Sequence, residues 1–411
     1  MAKGTIITGL DIGSSKISVV ICHTLSGLDG QMEIIGVGEA ESKGLRRGVV
    51  VDINLTAEAI REAISEAELM AGVNVESVCL GISGDHVHGQ SSPGVITVKN
   101  TAQITREDVE RAVQSARTIA AIPDGQDIIH VIEQNFVIDM NNRIKEPINM
   151  SGSRLEANAY IITSSTSAIQ SLLNSVEQAD ITSVDTLVVT PVASAKAVLQ
   201  RDEREVGIAL ADIGDQTTEI IVYKEDAIEH VVVFPVGGQH VTNDIAQYLK
   251  VTLPMAEELK LNRGCAWTEW VRDDETHPIP ITTGAAPPKF INRYDLAQII
   301  EYRMVQILEE IQCELGNVQL PGGLVLTGGT ALMEGLAELA EQVLQLRVQI
   351  GYPKPLKGLT DRVNYPMYSS SIGLALYGEA LRREQKQAQA MSRGAGAFGG
   401  VFRKIKEWFG Y

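Results

Sequence analysis

Disulfide cross-linking has almost nothing to work with in this chain. Only four cysteines occur in 411 residues, at positions 22, 79, 265 and 313, and none belongs to a CxxC pair. That spacing excludes a disulfide framework and a structural zinc site, and points to a reducing cytosol. Long apolar runs are missing too: no stretch of about 18 apolar residues occurs, so no membrane-spanning helix is expected. The opening MAKGTIITGLDIG carries one lysine and an apolar stretch too short for a signal peptide. Positive charge is scarce. Against 52 Asp and Glu stand 35 Lys and Arg, a formal charge of -17 that disfavours nucleic acid as a partner.

What charge there is has an uneven distribution. From Arg382 to Tyr411 seven Lys or Arg face two Glu, a local +5 that leaves -22 on the preceding body. A basic tail on an acidic body suggests a separate task for the tail. With 44% hydrophobic residues the body has enough apolar material for real cores, and its length calls for two to four subdomains.

Short β-branched runs alternate with helical patterns, the signature of layered α/β architecture. Residues 5–24 and 33–53 read as consecutive strands, and 56–71 as a helix opening at Thr56, burying Ile60, Ile64 and Ala67 and stopping at Gly72. A strand at 77–84 follows. Residues 85–163 read as strand, helix, strand, strand, a small inserted α+β subdomain whose helix carries Val109, Ala112, Val113 and Ala116 on one face. After 184 the opening pattern returns. The run Ala209–Gly214 echoes Gly9–Gly13, and the two Asp-Ile-Gly triplets lie 201 residues apart, about half the chain, which suggests two related lobes. A helix at 294–315 with Leu296, Ile299, Ile300, Ile307, Leu308 and Ile311 on one face reads as core.

The first triplet ends a strand and leads through Ser14, Ser15 and Lys16 into the next, so it lies in a β-hairpin. Backbone N–H groups of a tight Gly-containing turn form an anion-binding concavity. Hydroxyls and a lysine add donors, and the carboxylate of Asp11 is suited to hold Mg²⁺ through water. A plain Gly-Ser hairpin accounts for this turn equally well. The second hairpin, 212–220, repeats the pattern with Asp212, Gly214, Thr217 and Thr218. Further along come Gly237 and Gly238, then Glu257 and Lys260, then Gly328 and Gly329 between a strand and a helix, where missing side chains let a flat base approach backbone.

In that order the set resembles the actin, sugar kinase and heat-shock chaperone superfamily. The resemblance implies an actin-like two-lobed fold of duplicated ribonuclease H-like lobes closing over ATP or ADP. It also implies Mg²⁺ near Asp11 and Asp212, phosphates on the hairpins, Glu257 and Lys260 at the ribose or base, and Gly328 and Gly329 beside the adenine. Within the superfamily the chain resembles the bacterial FtsA family over essentially its whole length, through SerGlyAspHisVal at 83–87, HisValIleGluGln at 130–134, MetSerGlySerArgLeu at 150–155, the stretch 257–266 and LeuThrGlyGly at 326–329. That likeness implies a homopolymer at the cytoplasmic face of the inner cell membrane, at the division site, holding the C-terminal peptide of the tubulin-like FtsZ through the region 240–300 and recruiting other division proteins.

One hairpin departs from the family pattern, which reads AspIleGlyGlyGlyThrThrAsp; here Asp215, Gln216 and Glu219 stand instead. A glutamine where glycine lets the loop approach phosphate, beside an added carboxylate, points to ATP binding with weak or absent hydrolysis. An actin-like pilus-assembly protein of the PilM type shares such a site but is not expected to carry this tail. A soluble phosphotransferase needs a carboxylate base in the cleft, and none identifies itself.

The division into parts expected from these readings is a first lobe of 1–84 and 164–205, an insertion of 85–163, a second lobe of 206–381 with a peripheral subdomain at 240–300, a flexible linker of 382–397 and an amphipathic helix of 398–411. In that last segment Phe398, Val401, Phe402, Ile405, Trp408 and Phe409 fall on one helical face, while Arg403, Lys404 and Lys406 face the other way, toward anionic membrane lipid. Packing of this helix on the protein's own core is the alternative. His86 and His88 lack a third ligand and read as surface residues, and Trp267, Trp270 and Tyr294 as loop anchors.

Overall fold

A computed structural model describes residues 5–25, 31–141, 143–271, 279–281, 289–316 and 318–394. The chain opens with the antiparallel meander β1 (Ile6–Ile12), β2 (Lys16–Thr24) and β3 (Met32–Glu41), whose apolar positions are buried on both faces. The helix α1 (Ile53–Ala71) begins three residues earlier than its apolar periodicity indicates, because Asp52, not Thr56, is the N-cap and accepts from the Leu55 N–H. It lies on β3 at backbone distance. A Cβ on Gly38 would meet the Ala67 nitrogen at 2.7 Å, so only glycine admits the helix there. The strand β4 (Ser77–Ile82) then runs parallel beside β1.

The insertion consists of β5 (His88–Thr97), α2 (Arg106–Ile119), β6 (Gln126–Ile138) and β7 (Arg154–Ser165). A reciprocal capping box between Thr105 and Asp108 starts α2, whose Val109, Ala112, Val113 and Ala116 cover the sheet β5-β7-β6. The first lobe is completed by α3 (Thr166–Gln178), β8 (Ser183–Val189) beside β4, and α4 (Thr190–Val198). Five strands of its sheet run in the order β8-β4-β1-β2-β3, and a sixth, Lys357–Gly358, lies beside β3.

The second lobe repeats this plan. The meander β9 (Ile208–Ile213), β10 (Thr218–Lys224) and β11 (Ala227–Phe234) leads to α5 (Gly238–Leu249), α6 (Leu253–Arg263) and α7 (Arg293–Leu315). Then follow β12 (Leu324–Thr327), α8 (Leu336–Leu344), β13 (Val348–Ile350) and α9 (Ser369–Gly394). The order β13-β12-β9-β10-β11 matches the first sheet strand for strand, and it places Asp11 at the end of β1 where Asp212 ends β9.

Three features differ from the sequence reading. The insertion joins the second lobe: Val232 of β11 pairs with His88 of β5, the Tyr160 hydroxyl accepts from the Val231 N–H at 2.8 Å, and the Gln134 amide donates to the Ile228 carbonyl. The second lobe does not extend to 381. From Lys357–Gly358, which pairs with β3, the chain returns to the first lobe, where Ile372, Leu374 and Ala375 enter its core. Gly9 and Gly373 make this possible by letting α9 meet β1 and α4 at backbone distance, and Gly378 leaves room for the Cys79 side chain of β4. Lastly, residues 382–394 are helical rather than linker. Arg382 and Arg383 pair with Glu379 one turn back, and Arg382 also donates to Thr5 and Thr24. Gln, Lys, Arg and Ala are good helix formers, so this polar, repetitive segment continues the helix.

His130 on β6 fastens the insertion to the first lobe. Its ring nitrogen Nε2 accepts from the Val189 N–H at 3.1 Å, its ring lies 5.9 Å from that of Tyr377, and burial pushes its pKa down to about 4. In the unfolded chain it titrates near 6.5, so the folded state resists protonation and loses stability as pH falls from 6.5 toward 4. Urea midpoints should show the wild type losing up to about 3 kcal/mol relative to a His130→Gln variant across that window. A parallel acid limb in both proteins would remove His130 from this role.

Candidate functional site

The two meander turns face each other across the cleft between the lobes, and the carboxylates at their bases are electrostatically coupled. Asp11 is half-buried, and burial, then the charge of Asp212, push its pKa up to about 7 against the opposing pull of Lys16. Burial also raises Asp212, although the hydroxyls of Ser194 on α4 (2.8 Å) and Ser370 on α9 (3.4 Å) hydrogen-bond its Oδ2. A third carboxylate joins them. Glu219 is the cross-strand partner of Asp212, is 7% exposed, and is pushed up by burial first and by Asp212 second. Its Oε1 accepts from Ser83 of the first lobe, whereas its Oε2 is buried without a hydrogen-bond partner.

The other expected residues divide into those that face the cleft and those consumed by structure. Ser14 and Ser15 are on the first turn, where the Gly13 N–H donates to the Lys16 carbonyl. Lys16 is drawn aside: its ammonium pairs with Glu39 on β3 and lies 4.0 Å over the Tyr368 ring. Thr218 is fully buried and its hydroxyl donates to the Val236 carbonyl, so it ties β10 to the loop between β11 and α5 instead of facing a ligand. Thr217 closes the second turn, its carbonyl accepting from the Gly214 N–H.

Gly237 and Gly238 permit the second turn to dock on the start of α5. The N–H groups of Gly238 and Gln239 donate to the Gly214 and Asp215 carbonyls at 2.9 and 2.7 Å, so two donors of that helix end are already used. Glu257 and Lys260 pair with each other at 2.8 Å, and Lys260 also donates to the Thr242 hydroxyl and the Gly238 carbonyl. Gly328, at φ +88, presses its backbone on Asp212 and Ile213; Gly329 has nothing within 4 Å of a Cβ position and borders open space. Among the described residues no three His, Cys, Asp or Glu groups converge closely enough to hold a bare metal ion.

Comparison with known proteins places this geometry. The family model for cell division protein FtsA matches residues 209–373, and that for the SHS2 domain inserted in FtsA matches 84–163. Cell division protein FtsA of Pseudomonas aeruginosa is 37% identical over 416 residues, covering 99% of this chain and 98% of its own. The chain belongs to the FtsA family. FtsA proteins are cell-division proteins, and the fold is actin-like: the PilM-PilN type IV pilus biogenesis complex aligns with a TM-score of 0.62 at 18% identity, covering 91% of this chain and 98% of that one. MreB5 of Spiroplasma citri bound to ADP aligns with a TM-score of 0.55 at 14% identity, covering 93% and 98%.

Within this FtsA chain, the sequence locates the turns but not Ser194 and Ser370, which reach Asp212 from two helices and lie 176 residues apart from each other. No local pattern marks them. The Trp267 and Trp270 rings lie 6.4 Å apart, and His86, half-buried, hydrogen-bonds Ser164 instead of lying free on the surface. Among the described residues no helix is long and apolar enough to cross a membrane. The amphipathic segment from Phe398 to Phe409 lies outside the described residues.

Proposed function

We propose that this FtsA-family protein is an ATP-binding, membrane-docked scaffold of cell division. Nucleotide closes the lobes and favours a homopolymer. The basic amphipathic tail holds that polymer on anionic lipid at the cytoplasmic face of the inner membrane, where it tethers the FtsZ C-terminal peptide and recruits other division proteins. The observation that carries the reading is the pair of opposed turns with Asp11 and Asp212 at their bases.

The residues fit Mg²⁺ and a polyphosphate. Glu219 presents a buried carboxylate oxygen with no hydrogen-bond partner, and Asp11 and Glu219, already raised by burial, are raised further by the charge of Asp212, a repulsion that a cation would relieve. Because these carboxylates do not converge on one point, they suit a hydrated ion bound through water. A bound Mg²⁺ would neutralise phosphate charge. The hydroxyl of Ser14 and the backbone of both turns would hold the phosphates, and the open face of Gly329 would border the base.

For the tail, each large apolar group contributes roughly 1.5–3 kcal/mol when fully buried. Ordering the helix costs about 1–2 kcal/mol per residue. One tail therefore binds reversibly, and a polymer of tails binds by avidity. Co-sedimentation with anionic liposomes should pellet the full chain and leave a chain truncated after Arg393 in solution, with ATP increasing the pelleted fraction. If both proteins stay in solution at every lipid composition, membrane docking by the tail is refuted.

A further inference from the structure

Between β3 and α1 the chain forms a two-stranded hairpin whose tip lies against both meander turns. Leu45 pairs with Val50 and Arg46 with Val49, leaving Arg47 and Gly48 as the turn, at φ 53 and 78. Two consecutive positive φ values suit a tight hairpin, and an arginine adopts one only at an energetic cost. That conformation is held from both sides. The Arg47 N–H donates to the Gln216 side-chain oxygen at 2.8 Å, on the second-lobe turn, and the Gly48 N–H donates to the Ser14 hydroxyl at 3.3 Å, on the first. Gly48 lies against Gly84 so closely that a Cβ would meet the Gly84 Cα at 2.8 Å. The tip thus touches both turns at once, Gln216 on the second and Ser14 on the first.

The guanidinium of Arg47 is spent on none of this. Arg47 is exposed and makes no ion pair among the described residues. Its charge is nevertheless felt across the cleft at His240, whose Nδ1 accepts from the Gly237 N–H. This cation stands beside two turns that carry the carboxylates of Asp11 and Asp212. A ligand gripped by both turns would bring its own negative charge directly beneath it.

We propose that residues 44–51 form a lid over the nucleotide site, with Arg47 as a residue that binds the terminal phosphate and Gln216 as the catch that keeps the lid seated while the site is empty. This rests on the nucleotide reading above and deepens it. The Gly329 and Lys260 end of the cleft receives the base, the opposed turns receive the phosphate chain, and the lid covers its far end. Arg47 therefore separates a triphosphate from a diphosphate. Gln216, on the second turn, holds the lid by its side-chain oxygen, which accepts from the Arg47 N–H.

Isothermal titration of the full chain with ATP and with ADP, each with Mg²⁺, tests the assignment. Arg47→Ala should weaken ATP binding about tenfold, the loss of one charge-assisted hydrogen bond, and change ADP binding less than about twofold. Arg47→Lys should recover part of the ATP affinity. Hydrogen exchange at 46–49 in the empty protein should accelerate in Gln216→Ala, and ATP should slow it more than ADP in the wild type. If the wild type binds both nucleotides and Arg47→Ala leaves their ratio unchanged, the lid assignment falls and the nucleotide site stands. If the wild type binds neither, the site itself is refuted and the lid with it. Arg47 is exposed, so an unchanged melting curve distinguishes lost contact from lost fold.

Discussion

Glu219→Gln is expected to raise the melting temperature of the ligand-free protein by about 3 °C at pH 8 and to leave it nearly unchanged near pH 4. Burial, reinforced by Asp212, pushes the Glu219 carboxyl from 4.5 up to about 8. The folded state therefore holds this proton more tightly than the unfolded chain. Stability falls as pH rises from 4.5 through 8 and is flat above. Glutamine has no such slope. The full shift is worth at most about 5 kcal/mol, and sharing the proton with Asp11 and Asp212 leaves roughly half of that to Glu219 alone. Geometry points the same way. The Ser83 hydroxyl can still donate to the amide oxygen, while the amide N–H₂ replaces the unpartnered Oε2 and gains carboxylate neighbours. Calorimetry in a chelating buffer reads the difference, and Mg²⁺ with ATP should narrow it by neutralising the same cluster in the wild type. A variant that melts lower than the wild type at every pH would mean that Glu219 is ionised and fully partnered in the empty protein.

How much of this site is legible in the sequence depends on how local each feature is. The turns at 11–16 and 212–218 are legible, because a strand, a Gly turn and a second strand are contiguous, and the echo of Asp-Ile-Gly pairs the two lobes from sequence alone. Register then makes Glu219 the neighbour of Asp212, a relation that the spacing of a two-strand turn implies once the turn is placed. Other features are not local. Lys16 reads as a phosphate ligand, yet Glu39 on β3 and Tyr368 near the C-terminus hold it aside. Thr217 and Thr218 read alike, and both are buried, Thr218 with its hydroxyl on the Val236 carbonyl and Thr217 with its carbonyl closing the turn. The return of the chain to the first lobe after 357 follows from small residues on α9 that fit a strand and a helix far away in sequence. Periodicity registers an apolar face without naming what it will meet.

That return is also where the structure is least tolerant, and Gly373→Val is expected to cost more than about 4 kcal/mol. A Cβ at 373 would overlap the Ala193 backbone, its carbonyl included, so even alanine must push α9 off α4. Overpacking in a closed core costs about 1–3 kcal/mol by itself. Here separation of the two helices has a second consequence. Ser194 and Ser370 sit at the same crossing, 2.9 Å apart, and both hydrogen-bond Asp212. Moving α9 away removes hydrogen bonds from a buried carboxylate that burial already disfavours, so a packing change at 373 becomes an electrostatic change at the base of the cleft. Gly329→Ala is the matched control: nothing lies within 4 Å of its Cβ position, and its stability should change by less than about 0.5 kcal/mol. Urea unfolding of both variants reads the contrast. A loss below about 1 kcal/mol for Gly373→Val would mean that the helices re-pack freely at the crossing, and the two serines would then cease to be a fixed mount for Asp212. A large loss, set beside an unperturbed Gly329→Ala, ties the stability of the first lobe to the same contact that positions the second lobe's carboxylate.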